Sequence, residues 1–300
     1  MAWLAGLGLV NVVLFVLVVE VFVGTIRGQM LDTIALEGNS FGRRTAAETL
    51  NAALQAISVV SVALILVTIA VVAVARRRYT LAVMSIAVVV GSCLTTLLLH
   101  YHVLTRPVLG VDPERDLAGN SLPSGHATAA AAFAIGLTLV LPPRARGAAG
   151  LLGAGYAAVV GVATLSSGWH RPSDVIASYL IAGGWAAFAG LVLVIGQKPT
   201  AVVNRRERAE WSQAGATALG SFLTVLGIAV LAFVAQRMSE PVAAMGEDLL
   251  RLGYLGSAMV IGGGAYLMMA TVLFSVHRVV PHSPGGQRPE SAVASAAAGR

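Results

Sequence analysis

Charged side chains are scarce in this sequence of 300 residues, in which Asp, Glu, Lys and Arg together make up only 11%. About a quarter of the residues of an ordinary soluble domain are charged. Apolar residues instead make up 57%, and the mean hydropathy is +0.81. This composition excludes an ordinary soluble protein and indicates a chain that resides in a membrane.

Cysteine and lysine are almost absent, since the chain has only Cys93 and Lys198. A lone cysteine has no partner for a disulfide within the chain and cannot form a cysteine metal cluster. The formal net charge of +6 comes almost entirely from arginine. Because these arginines fall in short connections between apolar runs, they indicate membrane topology and not nucleic-acid binding. The abundance of Arg, Ala, Val and Gly favours a bacterial source, so we expect a bacterial plasma membrane.

Eight apolar runs are long enough to cross a bilayer, because a membrane helix needs roughly 20 residues. They lie at about 3–24, 53–75, 79–99, 124–141, 147–166, 173–196, 214–235 and 254–276. The first run is too long for the apolar part of a signal peptide and lacks a basic segment before it, so it is predicted to be retained. The sequence therefore predicts an all-α, polytopic membrane helix bundle.

A polar stretch at 198–213 separates six of these spans from the last two. We therefore predict a six-span core at 1–197, a cytoplasmic linker at 198–213, a two-span hairpin within 214–280 and a disordered tail at 281–300. The hairpin is open to two interpretations, since it can pack within the chain or form a homo-oligomer contact. Glycines that would allow close approach of helices in it are Gly256, Gly262 and Gly264.

Basic residues are distributed unequally between the two sets of connections. One set, together with the tail, carries 12 of them: Arg76, Arg77, Arg78, Arg144, Arg146, Lys198, Arg205, Arg206, Arg208, Arg278, Arg288 and Arg300. The alternate set carries the other eight. Since basic residues near the ends of spans favour the cytoplasmic side, we predict that both termini are cytoplasmic.

Three polar segments lie at the predicted extracytoplasmic ends of spans, so we expect them to meet in space. Residues 106–107 (Arg-Pro) follow the third span, residues 123–126 (Pro-Ser-Gly-His) begin the fourth, and residues 170–174 (His-Arg-Pro-Ser-Asp) begin the sixth. In the second segment Ser124 is the predicted N-cap, and Gly125 lets an oxyanion approach the free backbone N–H groups of the helix. A helix start of this kind is suited to binding phosphate.

The third segment pairs an imidazole with a carboxylate. His170 and Asp174 are four residues apart, so the carboxylate reaches the ring if the turn is helix-like. A carboxylate on one imidazole nitrogen fixes the tautomer and leaves the other nitrogen as a nucleophile or base. Taken alone, this segment and the second are each also explained by an ordinary capped helix start.

The order and spacing of these residues resemble the type-2 phosphatidic-acid phosphatase superfamily, which also contains the vanadium-dependent haloperoxidases. Its signature is Lys, six residues, Arg-Pro; then Pro-Ser-Gly-His; then Ser-Arg, five residues, His, three residues, Asp. Here Arg106-Pro107, the whole of 123–126, and His170 with Asp174 match. The resemblance covers the six-span core. A haloperoxidase is not expected, because the enzymes of that branch are soluble.

The resemblance implies a metal-independent phosphatase without a cofactor. His170 would attack phosphorus to form a phosphohistidine, Asp174 would orient it, and His126 would act as general acid and then as base. The implied phosphate-binding residues are Arg106, Ser124 and Gly125. The implied substrate is a phosphate monoester or diphosphate on a lipid, such as a polyprenyl diphosphate or phosphatidic acid, so the expected partners are this lipid and the surrounding membrane lipids.

Two cations of the family signature are missing here, since Leu99 stands at the lysine position and Ala163-Thr164 stand at the Ser-Arg position. Charge-assisted hydrogen bonds to phosphate are strong, so a phosphate site without these two cations needs other cations in their place. Arg171, beside the implied nucleophile, is the favoured one. The other candidates are His100, His102, Arg43 and Arg44.

Other functions stay open from the sequence. The first is a relative that binds lipid phosphates with weak or no activity, because its phosphate clamp has decayed. The second is a transporter or flippase, although neither paired broken helices nor an internal repeat is visible. A metal site formed by His100, His102 and His126 is a weaker interpretation, since hydrolysis in the family needs no metal.

Overall fold

Helices make up all the regular structure that a computed structural model describes for residues 1–39, 59–111, 120–196, 208–239 and 241–280. They are α1 (Ala2–Val18), α2 (Ile26–Glu37), α3 (Val59–Ala75), α4 (Tyr79–Leu98), α5 (Gly125–Val140), α6 (Pro143–Ser166), α7 (Pro172–Ile195), α8 (Arg208–Arg237) and α9 (Glu247–Val279). π-Helical turns extend α1 over Val19–Val23 and α4 over Leu99–Val103. A 3-10 turn, Val242–Ala244, precedes α9.

The predicted all-α membrane bundle is confirmed. Among the described residues, six helices are long and apolar enough to cross a membrane: Ala2–Val23, Tyr79–Val103, Pro143–Ser166, Pro172–Ile195, Trp211–Arg237 and Glu247–Val279. The two other predicted spans correspond to α3 and α5. The span predicted from residue 53 begins outside the described residues, and α5 has 16 residues, a length of about 24 Å.

The short helix α5 is held at both ends. Ser124 is its N-cap, and its side chain accepts a hydrogen bond from the Ala127 N–H. At the other end Arg76 donates to the Val140 carbonyl (2.6 Å) and Arg146 donates to the Leu141 carbonyl (3.0 Å). Cations at a helix C-terminus satisfy its last carbonyls and interact favourably with the helix dipole. A central helix shorter than the membrane is thereby stabilised.

Helix α2 was missed by the sequence analysis, because its residues are too polar to resemble a span. Thr25 caps it by accepting a hydrogen bond from the Gly28 N–H (3.0 Å). Gln29, which is buried, donates to the Val23 carbonyl at the end of α1 and to the Pro107 carbonyl after α4. These contacts hold α2 across one end of the bundle, where the site described below is found.

The last helix, α9, belongs to the hydrophobic core of the bundle. Ile261, Met269 and Leu273 are completely buried. The Tyr254 hydroxyl lies 2.7 Å from the Ser166 hydroxyl at the end of α6. Helix α9 also packs against α2 and α7. The predicted boundary at 198–213 stays a prediction, since 197–207 and the predicted tail at 281–300 lie outside the described residues.

Glycines bring α8 and α9 close together. A Cβ added to Gly220 or Gly263 would lie 3.0 Å or less from backbone atoms of the facing helix, and one added to Gly256 would lie 3.2 Å from the Gly227 carbonyl oxygen. Of the other two glycines predicted for this contact, Gly264 faces α7 and Gly262 makes only an ordinary contact with Leu223. The outer side of α8 is exposed, and its role in a homo-oligomer stays a prediction.

Candidate active site

Residues of all three predicted segments come together at one end of the bundle. The C-terminal ends of α1 and α4 and the N-terminal ends of α5 and α7 meet there, and α2 lies beside them. A backbone hydrogen bond from the Ser124 N–H to the Asp174 carbonyl (3.2 Å) joins the starts of α5 and α7. The Ser178 hydroxyl donates to the Ser124 carbonyl (2.8 Å) and strengthens this junction.

The turn between α6 and α7 positions the histidine of the third segment. Gly168 has a φ of +74°, a conformation that glycine adopts without steric cost. Its N–H bonds to the Leu165 carbonyl and the Trp169 N–H bonds to the Thr164 carbonyl, which is the Schellman arrangement. The His170 N–H also bonds to the Thr164 carbonyl (3.3 Å). The backbone before the imidazole is thus fixed by the end of α6.

The start of α7 positions the carboxylate of the same segment. Pro172 is the first residue of the helix, where its missing N–H costs nothing. Asp174 Oδ2 accepts a hydrogen bond from the Arg171 N–H (2.9 Å), so the carboxylate also caps the helix. Asp174 is completely buried. Its second oxygen, Oδ1, faces Arg106.

The His170 ring is oriented by the backbone of Ser121. His170 Nδ1 lies 3.0 Å from the Ser121 carbonyl oxygen and 3.5 Å from Asp174 Oδ2. A carbonyl oxygen only accepts, so Nδ1 carries the proton and Nε2 has the lone pair. The Ser121 hydroxyl donates to Asp174 Oδ2 (2.7 Å) and fixes the carboxylate from the other side. The imidazole is therefore held in the tautomer that a nucleophile requires.

His126 faces His170 across the mouth of the site. Their ring centroids are 6.5 Å apart, and the His126 ring also lies 5.5 Å from the Trp169 ring. His126 is partly buried and Gly125 beside it is exposed. A Cβ added to Gly125 would meet no atom of the described residues within 4 Å. Space is therefore available for a ligand against the first N–H groups of α5.

Arg106 is buried between two carboxylates, with only 4% of its side chain exposed. Its Nη2 lies 3.6 Å from Asp174 Oδ1 and 3.6 Å from Asp32 Oδ2. Among the described residues, none of its three guanidinium nitrogens has a hydrogen-bond partner. Unmade hydrogen bonds of buried polar atoms are costly, so these donors are suited to an anion that enters the site.

Asp32, on α2, is a member of the site that the sequence analysis did not identify. It is 1% exposed and accepts hydrogen bonds from the Ser173 N–H (3.3 Å) and the Ser173 hydroxyl. Burial raises the pKa of this carboxyl to about 6, although the charge of Arg106 counteracts the rise. A carboxylic acid with such a pKa exchanges a proton close to neutral pH.

The favoured substitute cation, Arg171, is also at the site. It is 5% exposed, and its Nη1 lies 3.4 Å from the Ser121 hydroxyl oxygen. The other candidates are placed differently. His102 is exposed, the His100 ring packs edge-on against Tyr101, and Arg43 and Arg44 lie outside the described residues.

The two positions where the family has cations hold no charge. Leu99 lies among apolar residues of α1 and α7, and the Thr164 hydroxyl is buried and donates to the Gly161 carbonyl (2.8 Å). A metal site formed by His100, His102 and His126 is not assembled either, because no group of three metal-ligating side chains is found in the part of the chain that the structure describes. Within the described residues, the positive charges at the site are those of Arg106 and Arg171.

Three residues of the site were missed by the sequence analysis because none of them belongs to a motif. Asp32 lies more than 70 positions before Arg106, in a segment without apolar periodicity. Ser121 lies just before the second segment, and its role depends on its carbonyl as much as on its hydroxyl. The sequence predicts a polar, exposed connection around Asp32, so the burial of this acid is visible only in the folded chain. Asn120, which donates to the carbonyls of His100, Leu104 and Leu122, is a third residue of this kind.

Comparison with known proteins gives a family match over the part of the chain that contains the three polar segments. The family model described as PAP2 superfamily matches residues 106–194, from Arg106 through most of α7. A search of the curated proteins gave no match, and a search of the solved structures gave none either. The matched stretch contains all three polar segments and begins after Leu99. This match over residues 106–194 supports membership of this membrane protein in the type-2 phosphatidic-acid phosphatase superfamily.

Proposed function

We propose that the protein is a membrane lipid phosphatase that hydrolyses a phosphate monoester or diphosphate on a lipid through a phosphohistidine. The observation that supports this best is the arrangement around His170. Its Nδ1 is hydrogen-bonded to a carbonyl and close to Asp174, so that Nε2 is free to attack, and His126 lies opposite. Such a pair of imidazoles is suited to nucleophilic attack combined with general acid catalysis.

The reaction proceeds in two steps. In the first, His170 Nε2 forms a bond to phosphorus while the bond to the leaving oxygen breaks, and protonated His126 gives that oxygen its proton. In the second, water attacks phosphorus, His126 takes a proton from the water, and the P–N bond breaks to release phosphate. Asp174 stabilises the positive charge that develops on the His170 ring. Ring centroids 6.5 Å apart leave room for a phosphoryl group between the two histidines.

Arg106 and the start of α5 would bind the phosphate oxygens, where charge accumulates in the transition state. The guanidinium donors of Arg106 have no hydrogen-bond partner among the described residues, and Gly125 leaves the helix N-terminus open. The Ser124 side chain is completely buried and caps α5, so it orients these N–H groups. Arg171 supplies the second positive charge.

A lipid substrate is supported by an apolar cavity of about 450 Å³ between α1, α4 and α7. Phe15, Leu99 and Leu180 line its end nearer the site, and Phe188, which is 51% exposed, lies deeper. Leu180 follows Asp174 by six residues, or about 9 Å along α7. A hydrocarbon chain fits such a surface, which is lined mostly by apolar side chains. The distribution of basic residues favours an extracytoplasmic site.

Phosphate release by the detergent-purified chain tests this function. We would supply polyprenyl diphosphates, polyprenyl phosphates and phosphatidic acid in the presence of EDTA. Wild type is expected to release phosphate, His170→Ala is expected to release none, and His102→Ala, whose side chain is exposed, is the matched control. Release that persists in His170→Ala would contradict the mechanism.

The missing cations at Leu99 and Thr164 favour a second candidate, a relative that binds lipid phosphates without hydrolysing them. It predicts binding of these lipids by wild type and release of phosphate from none of them. Retention of His170, His126 and Asp174 in one arrangement favours the enzyme.

A further inference from the structure

Arg106 faces a carboxylate that the family signature does not contain. Asp174 belongs to the signature, but Asp32 comes from α2, and both lie 3.6 Å from Arg106 Nη2. Two carboxylates therefore share one guanidinium in a buried site. A bound phosphate adds up to two more negative charges beside Asp32. Like charges at such distances in a low-dielectric site repel strongly.

The distances from Arg106 to the two carboxylates show ion pairs that hold the guanidinium without using its N–H groups as hydrogen-bond donors. A separation of 3.6 Å is close enough for charge attraction but too long for a hydrogen bond. Among the described residues, Arg106 Nε, Nη1 and Nη2 and Asp174 Oδ1 all lack hydrogen-bond partners. Arg106 is thus held between the carboxylates while its donors stay available to an oxyanion.

Asp32 is itself held firmly in this position. Ser173, the residue before Asp174, gives it two hydrogen bonds. Helix α2 is fixed at its end by α9, since a Cβ added to Gly38 would lie 2.1 Å from the Leu250 carbonyl oxygen. Side-chain movement therefore relieves little of the repulsion, and a change of protonation is the simpler response.

We propose that Asp32 is a positioning residue of the phosphate site, which holds Arg106 before substrate binds and takes up one proton from solvent when a phosphate dianion binds to Arg106. This inference rests on the phosphate site of the proposed function. No covalent bond changes in the step. The proton neutralises Asp32, and the charge of Arg106 is then directed to the phosphate.

The surroundings of Asp32 favour proton uptake. Burial raises its pKa to about 6, and the charge of Asp174 adds to this effect, while Arg106 and Arg171 counteract it. A phosphate dianion nearby would raise the pKa further. The other acidic, basic and histidine residues on its helix or on elements packed against it are Arg27, Glu37, Glu20, Arg144, Arg146, Arg171, Asp174, Arg208, Glu210, Arg237, Glu247, Asp248, Arg251, His277 and Arg278. Of those on α8 and α9, Arg237, Glu247 and Asp248 are exposed.

Binding of inorganic phosphate to the full-length, detergent-purified chain between pH 5.5 and 8 tests this role. We would compare wild type with Asp32→Asn, which removes the charge and keeps an acceptor for Ser173. Asp248→Asn, at a 96% exposed carboxylate, is the control. Protonation of phosphate and of groups other than Asp32 contributes equally in every variant, so the ratio of the dissociation constants isolates the effect of Asp32.

The two chains are expected to bind phosphate within about threefold of each other at pH 5.5, where Asp32 is mostly protonated. At pH 8 Asp32→Asn is expected to bind it about 10- to 100-fold more tightly than wild type, since the wild type must first bind a proton. Asp248→Asn should follow the wild type throughout. A ratio that stays constant over the whole pH range would overturn the proposal and leave Asp32 a merely structural role.

If Asp32→Asn does not fold, a comparison of Asp32→Glu with the wild type tests the same proposal. Asp32→Glu keeps a titrating carboxyl, so its affinity for phosphate should fall with rising pH as that of the wild type does. Calorimetry of the wild type in buffers of different ionisation enthalpy should also show close to one proton taken up per phosphate at pH 8. Absence of proton uptake would overturn the proposal.

Binding of phosphate does not require turnover, so the two proposals fail separately. A wild type that releases phosphate from no lipid but binds phosphate with the expected pH dependence would contradict only the proposed hydrolysis. A wild type that does not bind phosphate at any pH would overturn the role of Asp32.

Discussion

The half of the site around His170 differs from the half around Arg106 in how its polar atoms are satisfied. His170, Ser121 and Asp174 Oδ2 are joined by hydrogen bonds of 2.7–3.0 Å, and the backbone before them is fixed by the end of α6. Arg106 has charge contacts of 3.6 Å and no hydrogen bond within the described residues. Under the proposed function, the first half is organised before substrate arrives, whereas the second is completed by the bound anion.

Asp174→Asn breaks both halves at once and is expected to have the largest effect. Asp174 Oδ2 lies beside the His170 ring and orients it, and Asp174 Oδ1 balances the charge of Arg106. We expect kcat/KM to fall about 10³- to 10⁴-fold, as for a carboxylate that orients a catalytic histidine. Initial rates of phosphate release measure this, with thermal unfolding as the check on folding and Asp248→Asn as the control. A loss below about tenfold would mean that the His170 half does not depend on this carboxylate.

Arg106→Lys affects only the half that binds the anion. Lysine keeps the charge but loses the planar fork of donors, so we expect kcat/KM to fall about 10²- to 10³-fold and phosphate inhibition to weaken. Arg251→Lys, on an exposed ion pair of α9, is the matched control. If Arg106→Lys kept full activity, positive charge alone would explain the role of this residue. The hydrogen-bond donors of Arg106 would then not distinguish its half of the site from the half around His170.

Gly125→Ala tests the space for phosphate without changing the packing of the fold. An added Cβ meets no atom of the described residues within 4 Å, so thermal stability should be unchanged. It occupies the space that the phosphate needs against the N-terminus of α5, and we expect about a 10- to 100-fold loss of kcat/KM. Unchanged kinetics would show that phosphate does not approach this helix end. Gly215→Ala, at an equally open glycine in α8, is the control.

Ser121→Ala is expected to have the smallest effect and refines the description of the His170 half. It removes the hydrogen bond to Asp174 but keeps the carbonyl that orients His170. One hydrogen bond contributes about 1 kcal/mol, so kcat should fall about 3- to 10-fold with little change in phosphate affinity. Ser221→Ala, exposed on α8, should have no effect. A loss as large as that of Asp174→Asn would assign the orientation of the carboxylate to Ser121 alone.

The two halves also differed in how far the sequence predicted them. His170 and Asp174 lie on one continuous turn, so their spacing of four residues predicted their contact. The spans were predicted by apolar run length, because burial in lipid requires it. Asp32 was not predicted, because its position depends on how α2 packs across the bundle. Arg171, the favoured candidate for a substitute cation, was named from its place in the chain, whereas its contact with Ser121 required the folded structure.

The packing of α9 against α2 has a consequence for protein engineering. The stretch that the family model matches, 106–194, contains neither Asp32 nor the helix that supports it. Leu250 and Gly253 of α9 contact Gly38 and Ile34 of α2, so the C-terminal helix fixes the position of an acid near the N-terminus. A chimera that contains only the matched stretch would keep the motif residues but lack Asp32. A chain truncated before α8 would keep Asp32 but lack α9, which holds α2 in position. A transferable unit therefore has to include α2 and α9 as well as the matched stretch.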